Sequence, residues 1–241
     1  MQCDGLGSLP CGVGAKMVKT FIYKLSKVVF GLFLFSIGIV MTINANIGVA
    51  PWDVFHDGMS KTFGITMGMA SIILGLLIVV IDFVLGQNIG WATIMNMILL
   101  GVFMDVLMLN NLVPKFDGFM PSLIMLLLGM LVEGYGSWIY MSVGWGAGPR
   151  DGLMVILTKR TGRSVRVVKS FTEVIATVAG YMLGGSLGIG TLIMALFGGQ
   201  IFQLAFRTVK FDVKSIESRS IQDDIKYIKE KINQRRQQNP S

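Results

Sequence analysis

The side chains that could do chemistry gather at two matched places. Asn46-Ile47-Gly48-Val49-Ala50-Pro51-Trp52-Asp53-Val54 and Gly144-Trp145-Gly146-Ala147-Gly148-Pro149-Arg150-Asp151-Gly152 share glycine, proline and aspartate at a constant offset of 98 residues. The glycines let a chain leave one helix and turn sharply. Proline suits the first turn of the next helix, where its missing N–H costs nothing. Aspartate two residues later lies near the helix N-terminus, where free N–H groups and the helix dipole stabilise a carboxylate. On the bland reading, Asp53 and Asp151 only cap their helices, while Gly48, Pro51, Gly146, Gly148 and Pro149 only shape the backbone break. On the functional reading the two breaks face a common cavity. Paired broken helices at equivalent positions are the best sequence pointer to a transporter's central site.

Other ionisable groups extend this constellation. His56 follows Asp53 at i, i+3 spacing, so the two can share a proton. Arg150 could pair across the centre with Asp53 or Asp57. Asp53, His56, Arg150 and Asp151 are therefore the candidate substrate-binding residues. Glu133 and Glu173 lie within apolar stretches and are candidates for a proton or ion relay, the alternative being a carboxylate near a span end or one satisfied by a neighbouring helix. Asp82 and Asp105 lie near span ends and read as interfacial. His56 is the single histidine, and both cysteines, Cys3 and Cys11, precede the apolar body, so no metal site and no cofactor are expected. The sequence has no Walker A element and no His-Glu-x-x-His, which argues against an enzyme and leaves ATP-driven pumping to a partner.

These residues must be positioned in an apolar medium. The chain has 241 residues, 53% of them apolar and 15% charged, with mean hydropathy +0.66. A soluble domain carries about 25% charged residues. The composition excludes a soluble globular protein, a disordered chain and a nucleic-acid binder, and fits an all-α polytopic bundle in the cell membrane. The net charge of +7 sits at the ends: between Phe30 and Phe206 eight acidic side chains balance eight basic ones. Lysines before the first apolar run, the cluster Lys159 to Lys169 and the basic tail place both termini in the cytoplasm.

Apolar periodicity and length predict full spans near 21–43, 66–86, 89–109, 119–143, 165–184 and 188–207, with short helices near 50–62 and 149–160. The offset of 98 holds without a gap. Of ten glycines in 31–105 and fifteen in 129–203, seven coincide where chance gives about two, and 13 of 75 positions are identical. The chain thus reads as two tandem repeats, 21–110 and 119–208, each with one short broken helix and about three full spans. If the short helices are re-entrant, the halves are inverted. If they cross, each half has four spans and the halves are parallel. Their length favours re-entrance. Residues 1–20 read as a disordered extension, with Met17 a more natural start. Residues 209–241 form a basic cytoplasmic tail, amphipathic over 220–237, that either docks on anionic lipid or packs on the protein's own base.

Three stretches, Gly48-Val49-Ala50-Pro51-Trp52-Asp53-Val54-Phe55-His56, Gly64–Gly68 and Gly146-Ala147-Gly148-Pro149-Arg150-Asp151-Gly152-Leu153-Met154, together with Gly188-Ile189-Gly190-Thr191, carry a likeness. Over roughly residues 25–205 the chain resembles the YczE/YyaS/YitT group of bacterial integral membrane proteins, most closely its YczE-like branch. The resemblance implies a multi-span plasma-membrane protein and brings no substrate with it. The leading expectation is a gradient-driven permease or exporter of a small solute. The alternative is a non-transporting scaffold acting through its tail. The bilayer is the expected partner, nucleic acid is not, and there is room for a homo-oligomer and for a cytoplasmic partner at the tail.

Overall fold

Uncharged runs bounded by glycine and proline become helices. A computed structural model describes residues 11–211 apart from 88, 117 and 147, and among the described residues it contains eight helices and no strand. They are α1 (Cys11–Asn44), α2 (Pro51–Phe63), α3 (Met67–Val84), α4 (Trp91–Leu109), α5 (Phe119–Met141), α6 (Pro149–Thr161), α7 (Val165–Met182) and α8 (Ile189–Thr208). α1 starts at Cys11, so the helix reaches into the stretch read as an extension. The amphipathic pattern over 220–237 lies outside the described residues.

Local chemistry sets the ends. α2 and α6 open on Pro51 and Pro149 and close on Gly64 and Gly162, both left-handed. Thr66 caps α3 by accepting from the Met69 N–H, and Ser164 caps α7 by accepting from Val167. Thr93 and Thr191 turn back to accept from the N–H groups of Gly90 and Gly188, each 3.3 Å away.

Among the described residues, five helices are long and apolar enough to cross a membrane: Val18–Asn44, Met67–Val84, Trp91–Leu109, Phe119–Met141 and Ile189–Thr208. The expected sixth span forms as α7 but carries Arg166, Lys169 and Glu173, which keeps it out of that set. At about 1.5 Å per residue, the 13 residues of α2 and of α6 reach about 20 Å, short of the hydrocarbon thickness. Large apolar side chains such as Leu76, Leu77, Val80, Phe83, Leu192 and Leu196 stand exposed on the apolar helices. In water this would be an aggregation surface; in a bilayer it is the lipid-facing one.

Glycines hold the two longest apolar helices together. α1 and α5 run antiparallel: Gly31 lies against Tyr140, Gly38 against Glu133 and Gly129, Gly136 against Phe35, and Gly129 against Thr42. Lipid offers no hydrophobic drive between helices, so close backbone approach through small residues supplies the packing. α4 runs with α1, since Val28 and Leu32 cluster with Ala92 while Ile39 and Val40 cluster with Leu100 and Met104. α8 runs with α5, since Met130 approaches Gly198 and Gly134 meets Ala205. α3 returns antiparallel along α4, with Gly75 on Met97 and Gly68 on Gly101. The short helices cross between these layers, α2 against α7 and α6 against α3.

Candidate functional site

The two backbone breaks are built alike. Before α2, Gly48 takes φ +116° and its Cα faces Gly188 and Thr191 at the start of α8. Before α6, Gly146 takes φ +112° and faces Gly90 and Thr93 at the start of α4. A Cβ at either glycine would meet backbone at 2.8–2.9 Å, in a conformation that L side chains rarely adopt. The freed carbonyls are satisfied within the protein: the Gly190 N–H donates to the Ile47 oxygen (2.7 Å) and the Ala92 N–H to the Trp145 oxygen (2.9 Å). Irregular backbone at membrane depth survives only with such internal partners or beside a water-filled cavity.

From these breaks α2 and α6 aim their first turns at each other. Asp53 is 3% exposed and His56 is fully buried. His56 Nδ1 lies 3.1 Å from Asp53 Oδ1, and Arg150 Nη2 lies 3.0 Å from His56 Nε2. Arginine can only donate. His56 Nε2 is therefore the acceptor, and its Nδ1–H donates to Asp53. The three side chains form a directed chain, Arg150 to His56 to Asp53, that links the two short helices. Arg150 also lies over the Trp52 ring, 5.1 Å from its centroid. Asp151 and the buried Tyr140 lie within electrostatic reach of Arg150.

The structure thus brings Asp53, His56 and Arg150 into contact and leaves Asp151 beside them. Arg150 pairs directly with neither Asp53 nor Asp57 among the described residues: it reaches Asp53 through His56, and Asp57 accepts from Lys61 Nζ and the Ser186 N–H, both at 2.7 Å. Glu133 faces α1, where Thr42 Oγ1 stands 3.4 Å from its Oε1, within electrostatic reach of Asp53 and Arg150. Glu173 lies one step further out, beside Lys169 at 3.8 Å, and Lys169 in turn reaches Asp151 electrostatically. Neither N-cap residue, Ala50 or Gly148, makes a side-chain cap, so the first-turn acids Asp53 and Asp151 supply the negative charge there.

Trp52, Tyr140 and Thr42 were not legible as neighbours of the site. Trp52 alone carried a signal, because it occupies the place in the first motif that Arg150 takes in the second. An apolar cavity of about 550 Å³, lined by Ile37, Met41, Val113, Phe116, Met125 and Leu128 among others, is separate from this cluster and offers almost no polar surface.

Apolar, lipid-facing helices around a buried polar cluster between two broken helices define a helical integral membrane protein. Residues 22–207 match the model of a family of unknown function, DUF6198, and the chain belongs to that family. It is 37% identical over 179 residues to the uncharacterized membrane protein YczE of Bacillus subtilis (strain 168), covering 73% of this chain and 81% of that protein. It is 29% identical over 182 residues to an uncharacterized protein of Haemophilus influenzae, covering 75% and 83%, and 25% identical over 183 residues to the uncharacterized protein YyaS of Bacillus subtilis, covering 72% and 88%. No solved structure matches the chain.

Proposed function

We propose that this protein is a gradient-driven transporter of a small solute, a permease or exporter and not an enzyme. It is built from two inverted repeats, with its solute site where α2 and α6 begin. The observation that carries the reading is the Arg150–His56–Asp53 chain, which joins the starts of two broken helices from opposite halves of the sequence. Such a junction, buried in the bundle and lined by ionisable groups, is where transporter folds bind their solute and coupling ion. Asp151 lines the same site, and Glu133 is placed to exchange charge with it.

Equivalent contacts at the offset of 98 favour the duplication. Ala92 to Trp145 matches Gly190 to Ile47, and Thr62 to Leu183 matches Arg160 to Leu85. The Gly31–Tyr140 contact matches Gly129–Thr42. Because α1 and α5 are antiparallel, the operation that relates the halves inverts them, which fits six crossings with α2 and α6 re-entrant. The basic cluster Lys159 to Lys169 then shares the cytoplasmic side with both termini, as the positive-inside bias requires.

The test is solute uptake and efflux in proteoliposomes under imposed ion and pH gradients, with Asp53→Asn and Asp151→Asn as controls. Flux above empty liposomes that both substitutions reduce at least tenfold is the expected result. Flux equal to empty liposomes under every gradient sinks the transport reading. The basic tail after Arg207 favours a second reading, a scaffold for a cytoplasmic partner. Deleting residues 209–241 separates the two: a transporter keeps its flux, whereas a scaffold loses its cellular effect.

A further inference from the structure

Asp82 is a buried acid that the central cluster does not use. It lies in the last turn of α3, yet it is only 2% exposed and its Oδ1 has no hydrogen-bond partner among the described residues. Asp105, at the other end of the α3–α4 pair, is fully employed: it accepts from the Gly68 N–H at 2.9 Å and from Thr66 Oγ1. Among the described residues the buried side-chain polar atoms without a partner are Asp82 Oδ1 on α3 and Thr158 Oγ1 on α6, and α3 and α6 pack together.

The neighbours of Asp82 place it against α6. Its Oδ2 lies against Gly152 of α6, where a Cβ would come within 2.7 Å. Gly152 is two residues beyond Arg150. Further along α6, Arg160 Nη2 donates to the Leu85 oxygen just past the end of α3. Asp82 therefore packs against α6 near the end of the bundle where α3 stops. The charged groups on the helices packed against α3 do not neutralise it. Arg150 is on His56 and Trp52, Arg160 is on Leu85, Lys159 is exposed, and Asp151 is itself an acid. On α2, Lys61 pairs with Asp57, and on α4, Asp105 is at the far end. A carboxylate held dry, without donor or cation, is strongly disfavoured in such surroundings.

We propose that Asp82 is an exchangeable proton site at the end of α3, a buried acid that trades its proton with water there. The step is a plain transfer: the carboxylate takes a proton from water at the end beside Leu85, becomes neutral, and returns the proton to water there. This deepens the transport reading and rests on it, naming the proton as the coupling ion.

The test uses the full-length chain in lipid vesicles and reads Asp82 directly. Infrared difference spectra of wild type against Asp82→Asn are expected to lose one protonated-carboxyl C=O band, and that band shifts when the buffer is exchanged for D2O. Dicyclohexylcarbodiimide, which attacks protonated carboxyls in apolar surroundings, is expected to label Asp82 and leave Asp105 unlabelled in peptide mass spectra. That labelling is done on the wild type, so it stands even where Asp82→Asn does not fold. Three results overturn the proposal: loss of an ionised-carboxylate band in place of the acid band, a band that D2O leaves unmoved, or no adduct at Asp82. None of these readouts needs a solute, so an exchangeable Asp82 beside a flat solute panel would sink transport and leave the proton site standing.

Discussion

The contact between Arg150 and His56 is the most exposed part of this account, and a double-mutant cycle tests it. Arg150→Met keeps the length of the stem and removes the guanidinium. His56→Asn keeps an N–H for Asp53 Oδ1 at the place of Nδ1 and removes the acceptor at Nε2. A hydrogen bond to a charged group contributes about 1.5–3 kcal/mol, and the stack on Trp52 adds about 0.5–2 kcal/mol. Arg150 is half-buried, so partial solvent screening puts both contributions at their lower ends. Arg150→Met should therefore cost about 2–3 kcal/mol in all. The stacking part is common to both arms of the cycle and cancels, leaving a coupling of about 1.5 kcal/mol. Reversible unfolding of the full chain in mixed micelles measures each corner. Costs that add to within about 0.5 kcal/mol would mean the two side chains do not interact, and the link between α2 and α6 would fall with them.

His56 is the chain's single histidine, so a protein labelled with ¹⁵N-histidine gives one imidazole spectrum. The nitrogen shifts should report the neutral Nδ1–H tautomer, because Arg150 can only donate to Nε2; an Nε2–H tautomer refutes the assigned chain. Acidification that protonates His56 turns both ring nitrogens into donors, so the Nε2 contact with Arg150 should be lost in the same titration step. At the helix starts, Gly90→Ala and Gly188→Ala drive a Cβ into the carbonyl oxygens of Trp145 and Ile47, and each should destabilise by about 1–3 kcal/mol in thermal unfolding. Gly199→Ala meets nothing within 4 Å and should be neutral or stabilising by up to about 1 kcal/mol, so equal effects at the three positions would contradict the packing.

The boundaries of the short helices were readable from the backbone-special residues that punctuate them. Pro51 and Pro149 open the short helices, and Gly64 and Gly162 close them, within one residue of the expected ends. Near the N-terminus Gly12 and Gly14 speak against a helix, yet α1 begins at Cys11, earlier than its apolar pattern suggests. Within the site, the Asp53–His56 pair was legible because both lie one turn apart on one helix. Arg150's choice of His56 over Asp57 was not, because it depends on Lys61 and the Ser186 N–H having already taken Asp57. Asp82 read as interfacial from its place near a span end. Its burial comes from Gly152, whose missing side chain lets α6 close over it, and spacing along one strip of sequence does not disclose a glycine seventy residues away.

The proposed duplication also explains where the chemistry sits. Trp52 and Arg150 occupy the same place in the two motifs, and they stack on each other. Two residues related by a two-fold operation touch only when the axis passes between them. The axis would then run through the Trp52–Arg150 pair, and α2 and α6 would meet there by symmetry. A symmetric pair of tryptophans at that point would give a dry, self-complementary contact, while a symmetric pair of arginines would put two unscreened cations together. One of each satisfies both: the ring holds the guanidinium through its face, and the guanidinium is left free to turn to His56, which has no counterpart in the other half because Met154 stands there. Glu133 against Phe35 and Asp82 against Gly180 follow the same pattern, each polar group lying in one half only. The shared glycines and prolines position two breaks, and the differences between the halves add further groups that can hold charge and protons.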